Sequence, residues 1–266
     1  MNNLLRSHAP LTAEVWSLVD DEARERLSTA LAARKLVDFS GPHGWGHSGT
    51  AVGRATPISA PAQGLVARRR VVLPLAELRA PFALSVAELQ DAARGALDVD
   101  FGALDEAAQA IARAENIAVV DGWADAGIRG IAEMSPYEPV LLGSSCSEYP
   151  SCVASAVATL LSAGVSGPYG LALGPECYTG VVETIEHGGP VVVDHLREIL
   201  GGPVVRAPGV DGGVVVSLRG GDFLFESGED LSVGYDHHDH ERVHLYLEES
   251  FSFRVVSPDA AVTLRA

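Results

Sequence analysis

Between residues 51 and 80 the chain carries two extended runs, VGRATPISAP and LVARRRVVLPLAEL, joined by APAQG. The pattern predicts a long two-stranded ribbon. Arginine and valine alternate along it, and it holds little apolar material for a core of its own. An isolated pair of strands is marginal in water. Such an arm has to lie on something, and a neighbouring copy of the chain is the natural support. A self-contained globule would leave this segment unexplained.

Composition agrees with shared surfaces. Hydrophobic residues make up 47% of the 266, and the mean hydropathy of +0.17 is high for a soluble chain. Part of that apolar surface is expected between subunits. The length suits one large domain or two modest ones. Nineteen basic residues against 35 acidic ones give a net charge of −16. That balance repels nucleic acid and anionic membranes, and the short basic run ARRR at 67–70 does not reverse it. The opening MNNLLRSHAPLTAEV has no apolar signal-peptide core. The near-apolar run at 153–165 is too short to span a bilayer. Three cysteines without a CxxC pair fit reduced thiols in the cytoplasm, where the chain is expected.

Along the chain, Leu11 to Ala33 predicts a helix that Thr12 can cap. A glycine-rich loop, DFSGPHGWGHSG at 38–49, ends this unit. The segment 84–95 begins with a capping box, Ser85 and Glu88, and stops at Gly95. Leu104 to about Ala126 predicts a longer, alanine-rich helix. From 149 helices and strands alternate in α/β style, without the GxGxxG of a dinucleotide fold. After 212 nearly everything reads as strand, with connections short enough to require antiparallel pairing.

Candidate chemistry is sparse. DHHDH at 236–240 packs three histidines and two aspartates into five residues, but it lies between two alternating strands. Adjacent strand residues face opposite ways, whereas a metal needs three or four convergent ligands. The stretch reads as a polar hairpin tip. His43 and His47 in HGWGH are four apart, but the glycines between them disfavour the helix that spacing would need; Trp45 is expected to pack as an anchor. Cys177 and His187 form a conceivable thiol–imidazole pair, while no GxSxG or phosphate-binding loop occurs. Carboxylate clusters of the AEN and EES type, at 114–116 and 248–250, read as solvated faces.

Seven segments in order then carry a resemblance: LLRSHAPLTAEVW (4–16), ARKLVDFSGPHGW (33–45), LPLAELRAPFALSVAEL (73–89), SGPYGLAL (166–173), ETIEHGGP (183–190), RGGDFLFESGEDLSVGY (219–235) and HLYLEESFSFRVVSPDA (244–260). Together they resemble the family 1, linocin-M18-like encapsulin shell proteins. These share the α+β, HK97-type fold of tailed-phage major capsid proteins. The resemblance implies an N-terminal helix and arm at 1–50, an extended loop at 51–80, a peripheral domain at 81–145 and 223–266, and an axial domain at 146–222.

It also implies a function. Identical copies, about 60 or more, would close into an icosahedral nanocompartment. The shell would enclose a cargo enzyme, a dye-decolourising peroxidase or a ferritin-like protein, held by the cargo's C-terminal peptide. Arg34 and Asp38 match the family motif at the docking site, and Leu231 and Val233 match its apolar strand. An Arg34–Asp38 pair bracing the helix end is the alternative role for those two. Glu186, His187, Gly188 and Gly189 match the loop lining the five-fold opening, where a histidine would change the charge between about pH 5 and 8. No metal or cofactor is expected. The segment that binds flavin in some relatives reads LSVAEL here, with no Trp or Tyr. Two other readings stay open: a prophage capsid, and a protease- or bacteriocin-like enzyme.

Overall fold

A computed structural model describes residues 3–143, 145–185 and 191–265. Helix α1 (Ala13–Ala30) starts where the Thr12 hydroxyl accepts the Val15 amide at 3.4 Å. Its Val15, Val19, Ala23 and Leu27 fall on one buried face. Strand β1 (Asp38–Ser40) follows, then the arm, β2 (Gly49–Ile58) and β3 (Ala67–Pro74). Strand β4 (Ala76–Ser85) leads into α2 (Val86–Ala93), where the Ser85 hydroxyl accepts the Glu88 amide at 3.5 Å. The alanine-rich α3 (Gly102–Val120) is the longest helix of the described residues; Leu104, Ala108, Ile111 and Ala112 are buried along it. A small ladder, β5 (Gly122–Trp123) and β6 (Ile128–Arg129), closes it, before the single turn α4 (Ile131–Met134) and β7 (Val140–Leu141).

The α/β stretch comprises α5 (Tyr149–Ser162), β8 (Tyr169–Leu173), α6 (Pro175–Glu183), α7 (Val192–Leu200), β9 (Val204–Arg206) and β10 (Gly213–Ser217). The chain ends with β11 (Phe223–Ser227), β12 (Ser232–His238), β13 (Arg242–Val255) and β14 (Ala261–Arg265).

Two five-stranded sheets organise these elements. In the first, β1, β11, β13 and β12 lie in that order, and β4 also pairs with β13. The 14-residue β13 can serve three partners because its first part pairs with β12 and β4 and its last part with β11. It is therefore flanked by strands along both edges, and even Glu248 and Glu249 are buried. This corrects the expectation of a solvated EES cluster. Strand β12 is an edge of this sheet, and α1 packs beside it.

The second sheet runs β7-β14-β10-β8-β9. Its β8 and β10 are buried throughout, under α5 and α7. Residues 261–265, which the resemblance groups with the peripheral segment 223–266, pair antiparallel with β10. Ala261 to Leu264 are buried, so the segment needs a sheet interior, and β10 offers one.

The ribbon forms as expected but is shorter. Gly49 pairs with Pro74 and Ile58 with Ala67, while residues from 76 onward join the first sheet as β4. Ile58, Leu65, Val66 and Val72 stay exposed along the arm. Arg54, Arg68, Arg69 and Arg70 are its charged residues, and none meets a carboxylate among the described residues.

Candidate functional site

The end of α1 is held by one buried side chain. The Asn116 carbonyl oxygen accepts the amides of Ala32 and Ala33, both at 3.0 Å. Its amide nitrogen donates to the Ala30 and Pro208 carbonyls at 3.0 and 3.2 Å. All its polar atoms are satisfied, as a buried amide requires. The turn at Ala33–Lys35 is thereby fixed, and Arg34 points inward from it.

The Arg34 guanidinium meets three carboxylates: Glu115 at 2.6 Å, Asp230 at 2.5 Å and Glu249 at 2.8 Å. It also lies over the Phe39 and Phe225 rings, at 5.1 and 5.2 Å from their centroids. Burial works against its charge, yet Glu115, Glu249 and Asp230 outweigh that and keep it protonated. Burial pushes the Glu115 carboxyl up, with Arg34 offsetting part of the effect. Glu249 is pushed well above the usual carboxylate range, by burial first and then by the neighbouring Glu115. Oε1 of each glutamate has no hydrogen-bond partner among the described residues.

A groove opens beside this cluster. Ala23, Leu27 and Leu31 of the first helix and its exit form one wall, and Leu231 and Val233 form the other. Leu247 lies at its floor, and the cavity measures about 430 Å³. The rim is charged: Arg34 and Asp230 stand at one end, and Arg6 pairs with Asp20 at 2.7 Å. The Arg6 guanidinium is fixed over Trp16, 4.0 Å from the ring centroid. A groove with apolar walls, an edge strand and a charged rim suits a short extended peptide.

The residues expected at a docking site divide. Arg34, Leu231 and Val233 line this one groove. Val233 is largely part of its base, at 2% exposure. Asp38 lies elsewhere: its Oδ2 accepts the Gly221 amide at 2.7 Å, beside a separate cavity with Lys35 and Gly220. The Arg34–Asp38 brace therefore does not form, because Asp230, Glu115 and Glu249 occupy the guanidinium. Those three acids went unrecognised in the sequence. Asp230 precedes Leu231 directly, but nothing local marks Glu115 or Glu249 as buried. The expected pore residues Glu186, His187, Gly188 and Gly189 lie outside the described residues, as does the His187 of the proposed thiol pair.

The histidine-rich stretch is the end of β12 and the tip beyond it. His237 stacks on His244 across the ladder, centroids 4.1 Å apart, and His238 turns the other way to bond the Tyr235 hydroxyl at 2.6 Å. The Asp239 carboxylate accepts the amides of Glu241 and Arg242, which hold its pKa down to about 2 and close the turn. In the glycine-rich loop, His47 bonds Glu226 at 2.7 Å and His43 bonds the Ser40 hydroxyl at 3.1 Å. Trp45 is 51% exposed, so it is not the buried anchor expected there. Among the described residues no three His, Cys, Asp or Glu side chains converge in a metal-holding arrangement. Among the described residues no helix is long and apolar enough to cross a membrane.

Comparison with known proteins matches this architecture. The model of a family described as "encapsulating protein for peroxidase" matches residues 1–252. A type 1 encapsulin shell protein of Rhodospirillum rubrum is 45% identical, covering all of this chain and 97% of the relative. The chain belongs to the encapsulin shell-protein family. Encapsulin shell proteins of Mycolicibacterium paratuberculosis and Mycobacterium tuberculosis are 39% and 37% identical, each over 99% of both chains. These relatives are structural shell proteins, not enzymes, which removes the protease-like reading.

Solved structures share the capsid fold with this encapsulin. A virus-like particle from Pyrococcus furiosus aligns at TM-score 0.63 and 17% identity, over 95% of this chain and 100% of that one. A chain from a structure of Gordonia phage Cozz aligns at TM-score 0.52 and 14% identity, over 89% of this chain and 86% of that one. At such identities the phage likeness shows the fold alone.

Proposed function

We propose that many copies of this encapsulin subunit close around icosahedral axes into a cytoplasmic compartment that captures an enzyme by its C-terminal peptide. The observation that carries the reading is the groove between α1 and β12. Its apolar walls at Leu27, Leu31 and Leu231 take side chains of an extended peptide, and its charged rim orients the backbone. One such contact is weak, but a closed shell repeats it on every subunit, so a multimeric cargo gains avidity. The cargo class is a dye-decolourising peroxidase or a ferritin-like protein; the family description, which names a peroxidase, favours the first.

The arm supports assembly. It exposes four large aliphatic side chains and four arginines that meet no carboxylate among the described residues on a chain whose net charge is −16. The acidic surface of a second copy complements it.

Co-expression with a peroxidase bearing its native C-terminal tail, and with the tail deleted, tests the capture. The tailed enzyme is expected inside purified particles and the tail-less one outside. Leu231→Asp is expected to empty the particles of cargo while leaving them intact. Equal retention of both peroxidases, or unchanged loading of the Leu231→Asp shell, would overturn the proposal.

A further inference from the structure

Two of the three cysteines converge in the α/β part of the subunit, away from the groove. Cys146 opens the short turn Cys146–Glu148 that leads into α5, and Cys177 stands in the first turn of α6. The Cys146 sulfur rests directly on Gly180, where a Cβ would collide with it. Gly180 lies three residues after Cys177 on one face of α6; Cβ positions at that spacing are about 5–6 Å apart. Tyr149 completes the cluster. Its hydroxyl donates to the Cys177 sulfur at 3.5 Å and also reaches Cys146. Burial first, and then the two thiols, push the phenol's pKa up, so it remains a donor. Cys152 is separate: its thiol points to the Leu141 carbonyl at 3.4 Å.

We propose that Cys146 and Cys177 are a redox pair, which hydrogen peroxide converts to a disulfide that staples the entry of α5 to α6. Cys146 is half-buried and Cys177 buried, so peroxide meets Cys146 first. The Cys146 sulfur attacks the O–O bond, giving a sulfenic acid and one water. The Cys177 thiol then attacks that sulfur; the S–S bond forms, the S–O bond breaks and a second water leaves. Two thiols lose two electrons and two protons, and one peroxide becomes two waters. The Tyr149 hydroxyl, already donating to Cys177, steadies the attacking sulfur as it loses its proton. Closure needs the two Cβ atoms about 3.8 Å apart, which a rotamer change and a small shift of the exposed 146–148 turn provide. The pair is a property of one subunit, so it stands or falls independently of cargo capture.

Purified protein is exposed to hydrogen peroxide, its remaining thiols are alkylated, and it is digested without reduction for peptide mass mapping. The expected result is a peptide linking Cys146 to Cys177 within one chain, two hydrogens lighter than its parts, with Cys152 alkylated. Dithiothreitol restores both thiols. Cys152→Ala still forms the link, whereas Cys146→Ser and Cys177→Ala abolish it; the exposed turn of Cys146 tolerates substitution should Cys177→Ala fail to fold. Cys146 advancing to sulfinic or sulfonic acid while Cys177 stays alkylatable would overturn the proposal, as would a link through Cys152.

Discussion

The Arg34 guanidinium and the Glu249 carboxylate meet at 2.8 Å with 15% and 1% of their side chains exposed. The two residues are 215 positions apart. The contact joins the turn after α1 to the middle of β13, and Glu115 ties the same guanidinium to α3. The turn after α1, helix α3 and strand β13 are thus tied together at one end of the groove by one buried cation. A buried pair adds little relative to an apolar replacement, but removing one partner is costly because it leaves the others buried without it.

Arg34→Ala is therefore expected to destabilise the fold by about 3–5 kcal/mol. Arg34→Lys should recover only part of this, since an ammonium lacks the planar fork that serves three carboxylates. Urea unfolding followed by circular dichroism checks the order, wild type above Lys above Ala. An Ala variant as stable as wild type would show that the cluster is not a structural lock.

Glu249 predicts a pH dependence. Burial and the adjacent Glu115 raise its folded-state pKa well above the ordinary value of 4.5. Below that ordinary value both folded and unfolded chains hold the proton, and the full contribution to stability is present. As pH rises, the unfolded chain releases its proton first, and the contribution is lost through the raised folded value. Glu249→Gln cannot titrate, so its melting temperature should improve relative to wild type as pH is raised from about 4.5 to 8. A difference independent of pH would contradict this.

The arm predicts a salt-sensitive assembly. Arg68, Arg69 and Arg70 stand together on β3 without a carboxylate partner among the described residues. Replacing all three with Glu is expected to leave the subunit's circular dichroism unchanged and to abolish large particles. Wild-type assembly at low protein concentration should weaken between about 0.1 and 1 M salt, as screening shortens the reach of surface charge. Triple-variant particles indistinguishable from wild type in light scattering would remove the arginines from the interface.

Local patterns were legible in the sequence, and long-range partners were not. Thr12 and Ser85 announce their helices because a cap acts within three residues, and alternating Arg and Val announce the ribbon. Leu231 and Val233 are marked by an apolar strand that matches a known motif. Asp38 carries the same motif signal but turns to the Gly221 amide, a contact that depends on how β1 docks beside β11. Glu115 and Glu249 look like surface acids in any short window. They are buried where α3 and β13 meet the turn after α1, and only the closed fold shows that. The placement of β14 beside β10 was hidden for the same reason: its apolar pattern suits either sheet.

The central claim is that this chain builds a closed shell, and the most direct test is the size of the protein expressed alone. Negative-stain electron microscopy with multi-angle light scattering should find uniform hollow spheres of megadalton mass. A stable, well-folded monomer or dimer at the same concentration would contradict the account.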